Sequence, residues 1–178
     1  MKNFHLNHYE RAFANFLTDN QIRYVAVDEQ KRAALGTSKL KSFDYLLYPP
    51  NQPIIIAEIK GRTYSGKSFV KLTGFECWVT TDDVDGLAAW QKIFGPTHSA
   101  AFIFAYKIKN IDVDFDGRDV YNFKGQNYIF FCVKLADYIR YMKIRSPRWK
   151  TVTLPAENFR SCAVQLQILF LLCFKINR

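Results

Sequence analysis

Apolar and polar positions along the chain follow two periods, and the switches between them mark out the elements. Leu6, Tyr9, Phe13, Phe16 and Leu17 recur at helical spacing and Asp19-Asn20 supplies a stop, so the chain opens on a helix. Residues 22–27, rich in Tyr and Val, read as a first strand. After a loop rich in Lys, Gly, Thr and Ser, residues 42–48 and 54–59 form two further strands around the turn Pro49-Pro50-Asn51-Gln52-Pro53. Residues 60–77 carry Gly61, Gly66 and Gly74 and read as an exposed loop. A second helix follows: Thr81-Asp82-Asp83 caps it, Val84, Leu87, Trp90 and Phe94 form its stripe, and Gly95-Pro96 ends it. Residues 100–106 are apolar almost throughout, as a strand covered on both faces requires. The remainder holds a strand over 128–133, a helical stretch over 135–143, a basic segment, and a last helix opened by Pro155.

Two polar residues interrupt these apolar stripes. Glu10 is one or two turns from Leu6, Phe13 and Leu17 and shares their side of the first helix. Gln91 lies in the stripe of Val84 and Leu87 on the second. The elements run αβββαβ, an α/β order, within a single domain over 1–178. Its core spans about 6–107, with a C-terminal strand and helix extension over about 108–178.

The hairpin concentrates candidate chemistry. If its register is symmetric about Asn51, Asp44 falls opposite Glu58 and Ser42 opposite Lys60. Directly opposed side chains have Cβ atoms only about 4.5–5.5 Å apart, and like charges at that spacing destabilise a sheet. A divalent cation shared by both carboxylates offsets the repulsion, and hard oxygen donors suit magnesium or manganese. Lys60, two residues beyond Glu58, shares its face.

A helix Glu10, a strand Asp44, the tripeptide Glu58-Ile59-Lys60, and then a helix and an apolar strand together resemble the PD-(D/E)xK nuclease superfamily, above all the archaeal-type Holliday-junction-resolvase-like endonucleases. The resemblance implies a restriction-endonuclease-like core with a mixed central sheet flanked by helices. It implies that Asp44, Glu58 and the Ile59 carbonyl bind magnesium, that Lys60 orients the attacking water, and that Glu10 supports the metal or water network. Gln91 matches the polar residue many members carry on the following helix. Asp44 follows Ser42-Phe43 where the motif has proline. A second ExK, Glu29-Gln30-Lys31, has as its upstream acid only Asp19, in the helix-ending turn, so no hairpin sets a carboxylate opposite Glu29.

Composition gives this site a setting. The 178 residues are 49% hydrophobic and 23% charged, which excludes a disordered chain, and the net charge of +9 favours a polyanionic partner. Lys31, Arg32, Lys39, Lys41, Arg62, Lys67 and Lys71 fall in loops around the hairpin, and Lys41, Arg62, Lys67 and Lys71 are the candidate nucleic-acid contacts. Arg140, Lys143, Arg145, Arg148 and Lys150 form a second group among Tyr138, Tyr141 and Trp149, for which solubility explains the charge equally well. Four widely spaced cysteines imply a reducing, cytoplasmic setting, and no signal segment precedes the first helix. The apolar run 168–174 is too short to span a bilayer and reads as a buried or partner-covered helix end, a candidate homodimer contact. Asp112, Asp114 and Asp116 imitate a calcium loop, but position twelve is Phe123 where such a loop needs Glu. The histidines lack zinc spacing. The expected function is a metal-dependent endonuclease hydrolysing DNA. The alternatives are a nuclease-fold protein that binds nucleic acid or a partner without cutting, and a basic α/β interaction module.

Overall fold

The computed structural model describes residues 7–27, 34–35, 38–50 and 52–174. Leu6, the Glu29-Gln30-Lys31 tripeptide, Arg32 and Asn51 lie outside the described residues. In chain order the elements are α1 (His8–Asp19), β1 (Arg23–Ala26), β2 (Ala34–Leu35), β3 (Ser38–Lys39), β4 (Tyr45–Tyr48), β5 (Ile54–Tyr64), β6 (Val79–Thr80), α2 (Thr81–Phe94), β7 (His98–Ile108), β8 (Tyr121–Phe123), β9 (Gln126–Lys134), α3 (Leu135–Tyr141), β10 (Lys143–Ser146), β11 (Thr151–Thr153), α4 (Ala156–Cys162), β12 (Val164–Gln165) and α5 (Leu166–Phe174). Among the described residues, a seven-stranded mixed sheet runs β1-β4-β5-β7-β9-β12, with β8 paired to β9. Only β5 and β7 are parallel, joined through α2, and helices flank the sheet.

Side-chain size explains how the central strands divide two cores. On β7, Ala101, Ile103 and Ala105 face one side, while Ala100, Phe102, Phe104 and Tyr106 face the other. The small face admits α1, which buries Ala12, Phe13, Phe16 and Leu17 there, with Phe13 and Phe16 against Phe130 at 5.3 and 5.0 Å. The aromatic face packs beneath α2, α3 and α4, around Tyr138 and Phe159. Residues 100–106 therefore form a strand buried on both faces, as their composition required.

Several boundaries differ from the sequence reading. The first strand of the hairpin begins at Tyr45, leaving Asp44 at a bend just before it. β5 continues to Tyr64, so residues 60–64 are strand and not loop. Beyond them Phe69, Leu72, Phe75 and Cys77 are buried; Phe75 stacks on Tyr64 at 4.2 Å, and this supposed exposed loop supplies part of a core. The last helix is two, α4 and α5, separated by β12, which extends the sheet beside β9. In α5, Leu166 and Phe170 are buried in the core beneath α1, so the chain itself covers part of the apolar run.

Gly61 brings α1 onto β5. A Cβ at that position would lie 2.2 Å from the Tyr9 ring, whose hydroxyl is held to Thr63 at 3.2 Å. Gly61→Ala should cost about 1–3 kcal/mol of stability in urea unfolding. Most of that loss should vanish in a Tyr9→Ala background, where the clashing ring is gone; equal losses in the two backgrounds would refute the contact.

Candidate active site

The site forms where β4 ends and β5 continues. Tyr45 pairs with Ala57, Leu46 with Ile56 and Leu47 with Ile55, and the same register one step further places Asp44 beside Glu58. The Asp44 N–H donates to the Ala57 carbonyl (3.0 Å) and its own carbonyl accepts from Val27 (2.8 Å), which fixes the bend. Its carboxylate Oδ2 accepts from the Ile59 N–H at 2.6 Å, serving the β5 backbone where β4 no longer runs beside it. Asp44 and Glu58 are 9% and 5% exposed. Two carboxylates are thus buried on one sheet face, the unfavourable arrangement the sequence predicted.

Lysines and a third carboxylate complete the cluster. Lys60 Nζ lies 2.8 Å from Glu58 Oε1 and 3.0 Å from Asp83 Oδ1. Lys41 pairs with the same Asp83 oxygen and lies 3.7 Å from Glu58. Asp83 owes its position to the start of α2. Its N–H donates to Thr80 Oγ1 (3.1 Å) while its Oδ2 accepts from the Thr80 N–H (2.8 Å), a reciprocal cap that leaves Oδ1 for the lysines. Lys41 is fixed by its backbone: the Trp90 indole donates to its carbonyl at 2.7 Å, and Gly86 of α2 lets the segment approach, since a Cβ there would sit 3.2 Å from Lys41 Cβ.

These contacts split the titration of the two acids that face the lysines. Burial pushes Glu58 above the usual carboxylate range, against the pull of Lys60 and Lys41. Burial also pushes Asp83 up, but Lys60, Lys41 and the Thr80 cap outweigh it and hold the carboxyl at about 2. Lys41 is raised because Asp83, then Glu58 and Asp44, overcome its partial burial.

The other sequence candidates are placed differently. Glu10 belongs to α1, across the sheet, where its carboxylate caps the helix by accepting from the Asn7 N–H (3.0 Å) and the Asn7 amide. It remains near the site in one respect: burial first, then Glu10 and Asp44, raise the Tyr45 phenol, whose buried hydroxyl has no hydrogen-bond partner among the described residues. Gln91 does not join the cluster. It lies two turns, about 12 Å of helix, beyond Asp83, and its carbonyl accepts from the Ala100 N–H at 2.8 Å, bracing the start of β7. Arg62 donates to the Gly61 and Trp78 carbonyls (2.7 and 2.6 Å) and stacks on Trp78 at 3.9 Å. Lys67 and Lys71 are exposed beyond β5. In the Asp-rich loop, Asp114 accepts from the Asp116 N–H and Asp116 pairs with Arg118, so these acids brace the turn.

The sequence reading used Asp83 as part of the cap of the second helix, a pattern that fully explains an acid there. No local signal pointed to Lys41 as a counter-ion, since its placement depends on Gly86 and Trp90, far along the chain.

Asp83 generates a prediction with a defined sign. An unconstrained Asp titrates near 3.8, so a folded value of about 2 means Asp83 stabilises the fold at neutral pH and loses that contribution as pH falls towards 2. Asp83→Asn should reduce unfolding free energy by about 2 kcal/mol at pH 7. In a urea series the gap to the wild type should narrow below pH 4; a gap independent of pH would contradict the assignment.

No family model matches the chain, and no curated protein matches it. Among solved structures it is similar to Hjc, a Holliday junction resolvase from Archaeoglobus fulgidus, an archaeal hyperthermophile. The two share 15% identity at a TM-score of 0.49, over 90% of this chain and 96% of that one. The chemistry of the site is therefore read from its own residues.

Proposed function

We propose that this chain is a metal-dependent nuclease, an endonuclease that hydrolyses DNA phosphodiesters by attack of a metal-activated water. The observation that carries the reading is the burial of Asp44 and Glu58 side by side with Lys60 on the same face. The donor set fits a hard divalent cation: two carboxylates and the Ile59 carbonyl offer oxygen alone, which suits magnesium or manganese. Among the described residues no three His, Cys, Asp or Glu side chains gather as a metal cluster. Magnesium sites commonly use one or two carboxylates and fill the remaining positions with water and substrate phosphate, so this donor set is sufficient.

A divalent cation bound here would lower the pKa of water and polarise the scissile phosphate. The chain's own groups do the rest. Asp44, locked by the Ile59 N–H, keeps its carboxylate from rotating away. Lys60, held between Glu58 and Asp83, presents an ammonium that orients the water and balances charge developing on the phosphate. Asp83 is a positioning residue, acting through Lys60. Glu10 and Gln91 act outside the ligand set, Glu10 by capping α1 and Gln91 by bracing the start of β7. Lys41 beside Glu58, Arg62 on the same strand, and the exposed Lys67 and Lys71 beyond β5 supply phosphate contacts.

One observation favours a second reading, a protein that binds nucleic acid or a partner without cutting. Lys41 and Lys60 already satisfy Glu58 and Asp83 in a closed set of ion pairs. Cleavage decides between the two. In magnesium, Asp44→Asn and Glu58→Gln should each reduce cleavage of plasmid or branched DNA about a thousandfold, and Lys60→Met about a hundredfold. Chelation should abolish the wild-type activity. Wild-type rates in the carboxylate variants would refute the hydrolytic reading, and salt-sensitive binding with no cleavage by any form would establish the second.

A further inference from the structure

The second basic run of the chain is neither a linker nor a helix end. Residues 143–153 form the β10–β11 hairpin, in which Lys143, Arg145, Arg148 and Lys150 are exposed. No Asp or Glu occurs between Lys143 and Pro155. None of the ion pairs among the described residues involves these four cations. At the tip, Trp149 is 68% exposed, a large apolar surface left in water on an element otherwise suited to polyanions.

The tip has a defined shape. The Lys150 N–H donates to the Pro147 carbonyl (3.2 Å) and the Trp149 N–H to Ser146 Oγ (3.4 Å), while Lys150 takes a φ of +46°. The Arg148 guanidinium lies 5.3 Å from the Trp149 ring centroid. The hairpin is also tied to the active-site frame. β11 pairs with β6, Thr151 opposite Thr80, and the Thr81 N–H donates to the Lys150 carbonyl at 2.9 Å, so the tip joins the same turn that positions Asp83. Arg145 lies 5.0 Å from the Trp78 ring, which also carries Arg62 at 3.9 Å. Arg62 is two residues from Lys60 on one strand face. Arg145, Trp78 and Arg62 thus link this hairpin to the strand that carries Lys60, while Arg148, Trp149 and Lys150 form its tip.

We propose that this hairpin is a nucleic-acid arm: Arg145, Arg148 and Lys150 contact phosphates of a strand leading to the Asp44/Glu58 face, and Trp149 stacks on an unpaired base. The inference rests on the reading of that face as one that acts on nucleic acid, and it narrows the substrate to one with a single-stranded stretch beside the cut. An unpaired base is the specified occupant because a base within a duplex is already stacked on both sides, whereas an extruded or single-stranded base offers a free π-face.

Fluorescence anisotropy in EDTA, with a labelled single strand and the matching duplex, tests it on the full chain. Trp149→Ala should weaken single-strand binding about tenfold and duplex binding less than about twofold. The triple variant Arg145→Ala/Arg148→Ala/Lys150→Ala should lower the slope of log affinity against log salt by about 2 for the single strand. Because these side chains are exposed, the melting temperature should stay at the wild-type value. Unchanged single-strand affinity in Trp149→Ala, equal losses on both substrates, an unchanged salt slope, or no binding by the wild type would overturn the arm. Cleavage separates this failure from that of the hydrolytic reading. Binding as described with no cleavage leaves the arm standing alone, and Asp44-dependent cleavage with normal single-strand binding by Trp149→Ala removes only the arm.

Discussion

Two buried carboxylates, Asp44 at the bend before β4 and Glu58 on β5, are the constraint around which the rest of this structure is arranged. Each would cost several kcal/mol to bury as an isolated charge. The fold offsets that cost locally: Asp44 accepts a backbone N–H, and Glu58 faces two lysines that share a third carboxylate. Glu58 retains a raised affinity for its proton despite both lysines, so the compensation is incomplete on the side where a cation would bind.

The surrounding architecture can be followed from that cluster. β5 outruns β4, so the sheet presents backbone and side chains of one strand at an open shoulder, and Asp44 closes the ladder there. α2 serves three purposes within its first three turns. Thr80 and Asp83 begin it and aim a carboxylate oxygen at Lys60, Gly86 admits the Lys41 backbone, and Trp90 holds it by a hydrogen bond. The three-stranded sheet β10-β11-β6 then braces the residue before this helix, coupling a cationic hairpin to the same frame.

The parts of this arrangement that were legible in the sequence were those with a short period. Alternation around a Pro-rich turn located the hairpin and its register, and with it the opposition of Asp44 and Glu58. The uninterrupted apolar run 100–106 marked the central strand, and Gly95 ended α2 with a φ of +78° as expected. Features built from distant residues were not legible. Glycines at 61, 66 and 74 suggested a loop, yet Gly61 pairs with Ala105 as strand and leaves room for the Tyr9 ring, and Phe69 and Phe75 turn the following segment into core. Glu10 and Gln91 are half-buried on their helices, and a helical stripe fixes a face and not a partner. Glu10 reaches Asn7 and Gln91 reaches the Ala100 backbone. Asp83 and Lys41 were obscured because their meeting spans 42 residues of chain.

The claim on which everything else depends is that the buried pair binds a divalent cation. A crystal soaked in manganese and measured for anomalous scattering tests it most directly. The account predicts one strong peak between the Asp44 and Glu58 carboxylates and beside the Ile59 carbonyl, absent from Asp44→Asn crystals soaked in the same way. Manganese bound elsewhere, or a peak that persists undiminished in the variant, would contradict it.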